Sequence, residues 1–125
     1  MPLNHTAALF AIATPNFERL VDFYKALLTQ EPTAYTPNVY AEFQLPGVKL
    51  GIYRPKSNDE LQMAKGELRT PISLCLEVVN LEAAIAHITE LGYPPINEIL
   101  TASHGREIYA DDPDGNRLIL HQGFG

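Results

Sequence analysis

The side chains that could carry chemistry in this chain are one cysteine, four histidines and a few carboxylates set among apolar residues. His121 follows the apolar residues 118–120 near the end of the chain. Glu42 or Glu77 together with His121 could form a general acid–base pair. Cys75 could be a nucleophile, but a reactive thiolate needs a nearby base or helix N-terminus, and the sequence identifies neither. A small buried hydrophobe is the more common role of an unpaired cysteine.

The other three histidines have different sequence surroundings. His87 lies off the apolar stripe of a predicted helix, so we expect it to be solvated. His5 precedes a predicted strand and could contribute to a metal site only if the register of that strand shifted. His104 stands before Gly105 in a predicted loop. The histidines alone therefore do not define a coherent metal site.

Three aspartates near the end of the chain, Asp111, Asp112 and Asp114, are typical of a calcium-binding loop. Such a loop also needs a later glutamate at a fixed distance, and the sequence has none there. Pro113 and Gly115 fit a tight turn between two strands. The sequence therefore predicts a turn at this point.

Length, charge and cysteine content limit the class of protein. The chain has 125 residues and a formal net charge of −6, and its nine lysines and arginines are scattered. Because phosphate binding requires clustered cations, we expect neither nucleic acid nor membrane as a partner. With one cysteine no intrachain disulfide is possible, and without a signal-like segment a cytoplasmic location is expected.

An internal repeat organises the chain. Each copy contains an apolar strand followed by an amphipathic helix with apolar residues at helical spacing. The first copy predicts a strand over residues 7–13 and a helix over Phe17–Leu28. The second copy predicts a strand over residues 72–78 and a helix over residues 81–91.

Capping residues bound both predicted helices. Thr14 or Asn16 can cap the first helix. The second begins after Asn80 and ends at Gly92, and the prolines that follow prevent its continuation.

Further strands follow each helix. They are predicted at residues 35–36 (weakly), 39–45 and 48–53 in the first half, and at residues 96–100, 107–110 and 118–121 in the second. The polar segment 55–69 is interpreted as the connector. The chain is therefore predicted to be one domain, residues 1–125, of two βαβββ modules at about residues 1–60 and 66–125, with an α+β fold.

Two motifs in these modules carry a resemblance to a known family. The first, in the first helix, consists of Asn16-Phe17-Glu18-Arg19, Phe23-Tyr24 and Leu27-Leu28. The second, more specific motif consists of Gly105-Arg106, Tyr109 and the turn Asp112-Pro113-Asp114-Gly115-Asn116. Together with the repeated βαβββ pattern, they resemble the vicinal-oxygen-chelate superfamily of glyoxalases, bleomycin-resistance proteins and extradiol dioxygenases. The resemblance spans the whole chain.

The resemblance implies an eight-stranded mixed sheet cupped around a cavity, with the helices on its outer face. Alternate residues of each strand would then face the cavity. Candidate ligand-binding residues selected in this way, together with the loop and rim residues, are Tyr40, Glu42, Tyr53, Ser73, Cys75, His104, Arg106, Tyr109 and His121. The resemblance also implies a homodimer, since members of the superfamily commonly complete their cavities across a dimer interface.

Enzymes of this superfamily hold a divalent metal with four cavity ligands, two from each module. The resemblance transfers these positions to Leu9, Gly51 (or Leu50 if the register slips), Ser73 and Ile119. None of these side chains is a competent ligand for a transition metal. We therefore expect no metal or other cofactor of the family type.

Three functions follow from this combination of fold and missing ligands. The leading interpretation is a metal-free protein of the bleomycin-resistance type that binds an organic small molecule in the cup. The alternative is a lyase, isomerase or dioxygenase-like enzyme with a non-standard site, either metal-dependent or metal-free. A third is a domain that acts mainly through its dimer interface.

Overall fold

The computed structural model describes residue 4, residues 6–55 and residues 72–124. The chain divides into two compact units, one within residues 1–69 and the other within residues 70–125. In the described residues each unit contains a four-stranded mixed sheet and one helix, which confirms the α+β class and the βαβββ repeat. His5 and all but the start of the predicted connector lie outside the described residues.

The first unit follows the predicted order of elements. These are β1 (Leu9–Ala13), α1 (Phe17–Leu28), β2 (Ala34–Thr36), β3 (Tyr40–Leu45) and β4 (Val48–Tyr53). The strand order in the sheet is β1-β4-β3-β2, with β1 parallel to β4 and the other neighbours antiparallel. In this register Gly51 lies between Ala11 and Glu42.

Helix α1 has the bounds that its apolar spacing predicts. Its apolar stripe is buried, and the strands contribute alternate residues to the same core: Phe17, Leu20, Val21, Phe23, Tyr24, Ala41, Phe43, Leu45, Leu50 and Ile52. Asn16 occupies the N-cap position without a capping side-chain hydrogen bond. Instead the backbone N–H of Asn16 donates to Oγ1 of the buried Thr14 over 3.0 Å.

The second unit repeats this arrangement. Its elements are β5 (Leu74–Glu77), α2 (Leu81–Glu90), β6 (Leu100–Ala102), β7 (Gly105–Asp111) and β8 (Arg117–Gly123). The strand order is β5-β8-β7-β6, with β5 parallel to β8. The side chain of Asn80 caps α2 by accepting a 3.0 Å hydrogen bond from the backbone N–H of Ala83.

One face of the second sheet packs with α2, which contacts β8. The buried apolar residues are Leu81 and Ile88 from the helix and Ile108, Ala110, Leu118 and Leu120 from the strands. Because these strand residues alternate in sequence, the residues between them lie on the opposite face of the sheet.

The strand predicted over residues 96–100 is wrong for residues 96–99, because β6 begins at Leu100. Backbone N–H of Ile96 donates to the carbonyl of Tyr109 over 2.9 Å. The neighbouring hydrogen bond between this segment and β7 involves a side chain, because the backbone N–H of Tyr109 donates to Oδ1 of Asn97 over 2.9 Å. An asparagine side chain thus replaces the backbone acceptor that a regular ladder would supply.

Several strand ends also differ from their predicted positions. Strands β1 and β5 are shorter than predicted, and β7 and β8 are longer. The extra length of the latter pair places Gly105 directly opposite Gly123. The turn that joins them is confirmed, with backbone N–H of Gly115 donating to the carbonyl of Asp112 over 2.8 Å.

No helix among the described residues is long and apolar enough to span a membrane.

Candidate functional site

The face of the second sheet opposite α2 carries three of the predicted site residues, Cys75, Tyr109 and His121. Its members alternate with the buried core residues and are Cys75 and Glu77 on β5, Glu107 and Tyr109 on β7, and Ile119 and His121 on β8. We call this surface the open face of the second unit. The register places Cys75, Ile119 and Tyr109 in one row across the strands, and Glu77, His121 and Glu107 in the next row.

A chain of hydrogen bonds runs through the second row. His121 Nδ1 donates to Glu77 Oε1 over 2.6 Å, and His121 Nε2 lies 2.9 Å from His104 Nδ1. The other oxygen of Glu77 accepts a 2.7 Å hydrogen bond from the backbone N–H of Gly123. The side chain of His121 is only 13% exposed, so the imidazole is held between a carboxylate and a second histidine.

Of the two facing glycines, Gly105 and Gly123, only Gly105 is needed to leave room for the imidazole of His121. A Cβ atom on Gly105 would lie 2.9 Å from His121 Nε2 and 2.4 Å from the backbone oxygen of Gln122. A Cβ atom on Gly123 would lie 3.4 Å from Glu77 Oε2, which is ordinary van der Waals contact. The sequence at position 105 therefore determines whether His121 and His104 can approach each other.

The charges of this face act on its titratable groups. The hydrogen bond from His121, followed by that from Gly123, lowers the pKa of Glu77, so this residue is a carboxylate at neutral pH. A hydrogen bond to Glu107, followed by the charge of Glu107, raises the pKa of Tyr109. The open face thus holds Glu107 beside a neutral phenol.

Cys75 is exposed on this face, yet its environment disfavours the thiolate. Burial, followed by the charges of Glu107 and Glu77, raises the pKa of the thiol. Since a nucleophilic cysteine requires the opposite shift, the surroundings do not activate Cys75.

Arg106 lies on the other face of the sheet. Its guanidinium makes a bidentate ion pair with Glu82 of α2, at 2.6 and 2.9 Å, and also donates to Gln122 over 3.3 Å. This pair lowers the pKa of Glu82 to about 2. The structure therefore separates Arg106 from the other predicted site residues of this unit and joins β7 to the helix through it.

The first unit has a smaller polar cluster on the corresponding face of its sheet. The Tyr40 hydroxyl donates to Glu42 Oε1 over 2.8 Å, and Glu42 Oε2 lies 3.5 Å from Lys49 Nζ. The tyrosine hydroxyl occupies the space over Gly51, where it would lie 2.9 Å from an added Cβ atom. Tyr53, half-buried on β4, is the strand neighbour of Tyr40.

We expect Tyr40 to ionise at unusually high pH. Burial, then the hydrogen bond to Glu42 and the charge of Glu42, raise its pKa to about 12 from the model-peptide value of about 10. Because the folded protein holds this proton more tightly, the resulting stabilisation is complete below about pH 10 and is lost as pH rises toward 12. Ultraviolet titration of the phenolates should show a transition near pH 12 that the Tyr40→Phe variant lacks.

The Glu42→Gln variant provides the matched comparison. It keeps the burial of Tyr40 but removes the charge beside the hydroxyl, so the transition should move to lower pH without disappearing. A wild-type titration that is complete by about pH 11 would contradict the proposed environment of Tyr40.

The predicted site residues are thus distributed between the two units. Tyr40, Glu42 and Tyr53 belong to the first, whereas Cys75, Tyr109 and His121 lie on the open face of the second. Ser73 is exposed directly before β5, and His104 lies in the turn between β6 and β7. The predicted set missed Glu107, although it precedes Tyr109 by two residues and must therefore share its face of the strand.

Comparison with known proteins identifies the family. The family model described as Glyoxalase/Bleomycin resistance protein/Dioxygenase superfamily matches residues 3–120, so the chain belongs to this superfamily. No curated protein matches the chain.

Solved structures show the same fold at low sequence identity. A glyoxalase/bleomycin resistance protein from Catenulispora acidiphila is 22% identical, with a TM-score of 0.66, and covers 94% of this chain and 98% of its own. Lactoylglutathione lyase from Agrobacterium tumefaciens is 15% identical, with a TM-score of 0.69 and coverage of 98% and 96%. Fosfomycin resistance protein FosX from Mesorhizobium loti is 13% identical, with a TM-score of 0.69 and coverage of 98% and 95%.

The residues at the positions that the resemblance assigns to the family's metal do not fit a metal ion. Leu9 is an apolar residue that packs over Gly51, with its Cδ1 atom 3.1 Å from where a Cβ would be. The space above Gly51 holds the hydroxyl of Tyr40 instead of a ligand atom. In the second unit the equivalent positions are the hydroxyl of Ser73 and the aliphatic Ile119. Among these four positions only the hydroxyl of Ser73 is a polar side-chain group, and none offers an imidazole or a carboxylate.

Proposed function

We propose that this protein is a bleomycin-resistance-type binding protein that holds an organic small molecule on the open face of the second unit. The observation that carries the proposal is the row of Cys75, Ile119 and Tyr109 beside the Glu77–His121 pair. The first row offers apolar and aromatic contact, and the second offers hydrogen-bonding groups that can orient a ligand.

The charge of this face favours a cationic ligand. Glu77 and Glu107 place two acidic side chains on this face. The positive charge of Arg117 is already paired with Asp111 at 2.9 Å. The guanidinium of Arg117 also lies 5.4 Å from the centre of the Tyr109 ring, a cation–π contact that supports the choice of a cationic ligand. An aromatic molecule with an amine or amidine group would have both the ring for contact with Tyr109 and the positive charge that the carboxylates favour.

A pair of probes of the same size and opposite charge tests the proposal. We expect benzamidine, but not benzoate, to shift the backbone NMR signals of residues 75–77, 107–109 and 119–121 at concentrations on the order of millimolar. The titrations are done in EDTA, so that metal plays no part. The Tyr109→Ala variant should bind benzamidine about tenfold more weakly, because it loses the aromatic contact. Absence of shifts on this face with both probes would refute the proposal.

An acid–base enzyme, such as a lyase or isomerase, is the second candidate. The observation that favours it is the 2.6 Å hydrogen bond from His121 to Glu77, since a carboxylate commonly orients a catalytic histidine. The chemistry of the structural neighbours supplies a first assay: turnover of lactoylglutathione or consumption of fosfomycin. Activity that the His121→Gln variant lacks would support the enzyme, and its absence with both substrates would leave the binding function in first place.

We also propose a homodimer located in the cytoplasm. In the two sheets formed by the described residues, β1 and β5 are edge strands, and edges of this kind favour pairing with a second chain. The single cysteine suits a reducing compartment. Light scattering of the purified protein gives the mass directly, and a monomer mass at micromolar concentration would contradict the dimer.

A further inference from the structure

The second unit brings together three side chains that could each offer a ligand atom to a metal ion. His104 lies in the turn between β6 and β7, Glu107 lies on β7, and His121 is the strand neighbour of Glu107 on β8. One ligand atom from each residue lies within 4.8 Å of the other two. None of the three residues occupies a position that the family uses for its metal, since His121 is two residues beyond Ile119 along the strand.

We propose that His104, Glu107 and His121 form a binding site for a divalent transition-metal ion. Two imidazoles and one carboxylate are the ligand set that suits zinc or iron(II), with further coordination positions left open. Glu107 and His121 are half-buried and His104 is exposed, so an ion bound here would be accessible from solvent. The site goes beyond the proposed small-molecule function, which does not require it.

The distance between the two histidine nitrogens fits a shared ion. Two nitrogens bound at about 2.05 Å to one ion lie about 2.9 Å apart at an octahedral angle and about 3.3 Å apart at the tetrahedral angle of zinc, so a tetrahedral ion would need the rings to separate by about 0.4 Å. His104 Nδ1 and His121 Nε2 are 2.9 Å apart. An ion would replace the proton that now lies between them, and His104 would carry its proton on Nε2 instead, so that both rings bind in the neutral form.

The second ring nitrogen of His121 makes the kind of hydrogen bond that usually orients a metal-binding histidine. Its Nδ1 donates to Glu77 over 2.6 Å, which leaves the lone pair on Nε2, the nitrogen that faces His104. Glu77 is itself held by the backbone N–H of Gly123. A carboxylate behind a histidine in this way fixes the tautomer and the orientation of the ring. The absence of a side chain at Gly105 keeps the space beside Nε2 clear.

Calorimetric titration of the metal-free full chain with Zn²⁺, together with the visible spectrum of the Co²⁺ form, tests the site. We expect one ion per chain in the wild type. The His104→Gln and Glu107→Gln variants should each lose at least about tenfold in affinity, and Glu77→Gln should lose about 10- to 100-fold by its effect on His121. His104 is exposed, so its replacement is not expected to disturb folding, which circular dichroism would check.

The His87→Gln variant is the matched control, because His87 lies on α2 away from these residues, and it should bind zinc as the wild type does. Absence of zinc binding by the wild type at micromolar concentration would overturn the proposal. Equal affinity in the wild type and in His104→Gln and Glu107→Gln would also overturn it, by showing that the ion binds elsewhere. Since benzamidine binding is measured in EDTA, failure of the metal site and failure of the small-molecule function are separate outcomes.

Discussion

The Gly105→Ala variant should be less stable than the wild type by about 3 kcal/mol, the upper end of the usual cost of overpacking. The added methyl group would lie 2.4 Å from the backbone oxygen of Gln122 and 2.9 Å from the Cα atom of Gly123. These are backbone atoms of β8, so no side-chain rotation can relieve the contact. Strand β8 must move away from β7, and His121 moves with it, because the methyl group would also lie 2.9 Å from its Nε2.

Gly123→Ala is the matched control, since Gly123 lies directly opposite Gly105 in the same pair of strands. A methyl group on Gly123 meets its nearest atom, Glu77 Oε2, at 3.4 Å, and we therefore expect a change within about 0.5 kcal/mol. Urea unfolding of both variants measures the difference. NMR signals of the His104 and His121 rings should shift in Gly105→Ala and remain close to wild type in Gly123→Ala. Equal stability of the two variants would show that β7 and β8 are farther apart at Gly105 than the structure places them.

The fold could be predicted from the sequence because its signals are local. The stripe of apolar residues defines α1 to its last residue, and alternation assigns Phe43 and Ile52 to the core without knowledge of their partners. Asn80 and Gly92 mark the ends of α2 for the same reason, since capping depends on a few neighbouring residues. The strand predicted at residues 96–100 is wrong for residues 96–99 because the hydrogen bond of Asn97 to β7 joins residues far apart in the chain.

The candidate site required contacts that no local pattern contains. Alternation placed Cys75, Tyr109 and His121 on one face, but the pairing of His121 with His104 depends on how the turn before β7 folds back. Arg106 is predicted to lie at the rim of the same site, whereas its position in β7 directs it toward Glu82 of α2. A sequence pattern thus identifies the face of a strand, and the register between strands decides which side chains on that face meet.

The Asp112→Ala variant should lose about 3 kcal/mol of stability, because the buried carboxylate accepts hydrogen bonds that stabilise the turn before β8. Asp112 is only 3% exposed. Its Oδ1 accepts hydrogen bonds from the backbone N–H groups of Asp114 and Asn116, at 2.9 and 2.8 Å, and its Oδ2 accepts from Asn116 Nδ2 over 2.8 Å. Alanine would leave these donors without their acceptor in a partly buried turn.

Asp112→Asn separates the charge of this residue from its shape. The amide keeps one oxygen that can accept from the backbone of the turn, so its loss should be smaller, about 1–2 kcal/mol. Added Ca²⁺ should leave the melting temperature of the wild type unchanged, because hydrogen bonds from within the turn already use both oxygens of the Asp112 carboxylate. Stabilisation by Ca²⁺ that Asp112→Ala abolishes would mean that the aspartates form a cation site.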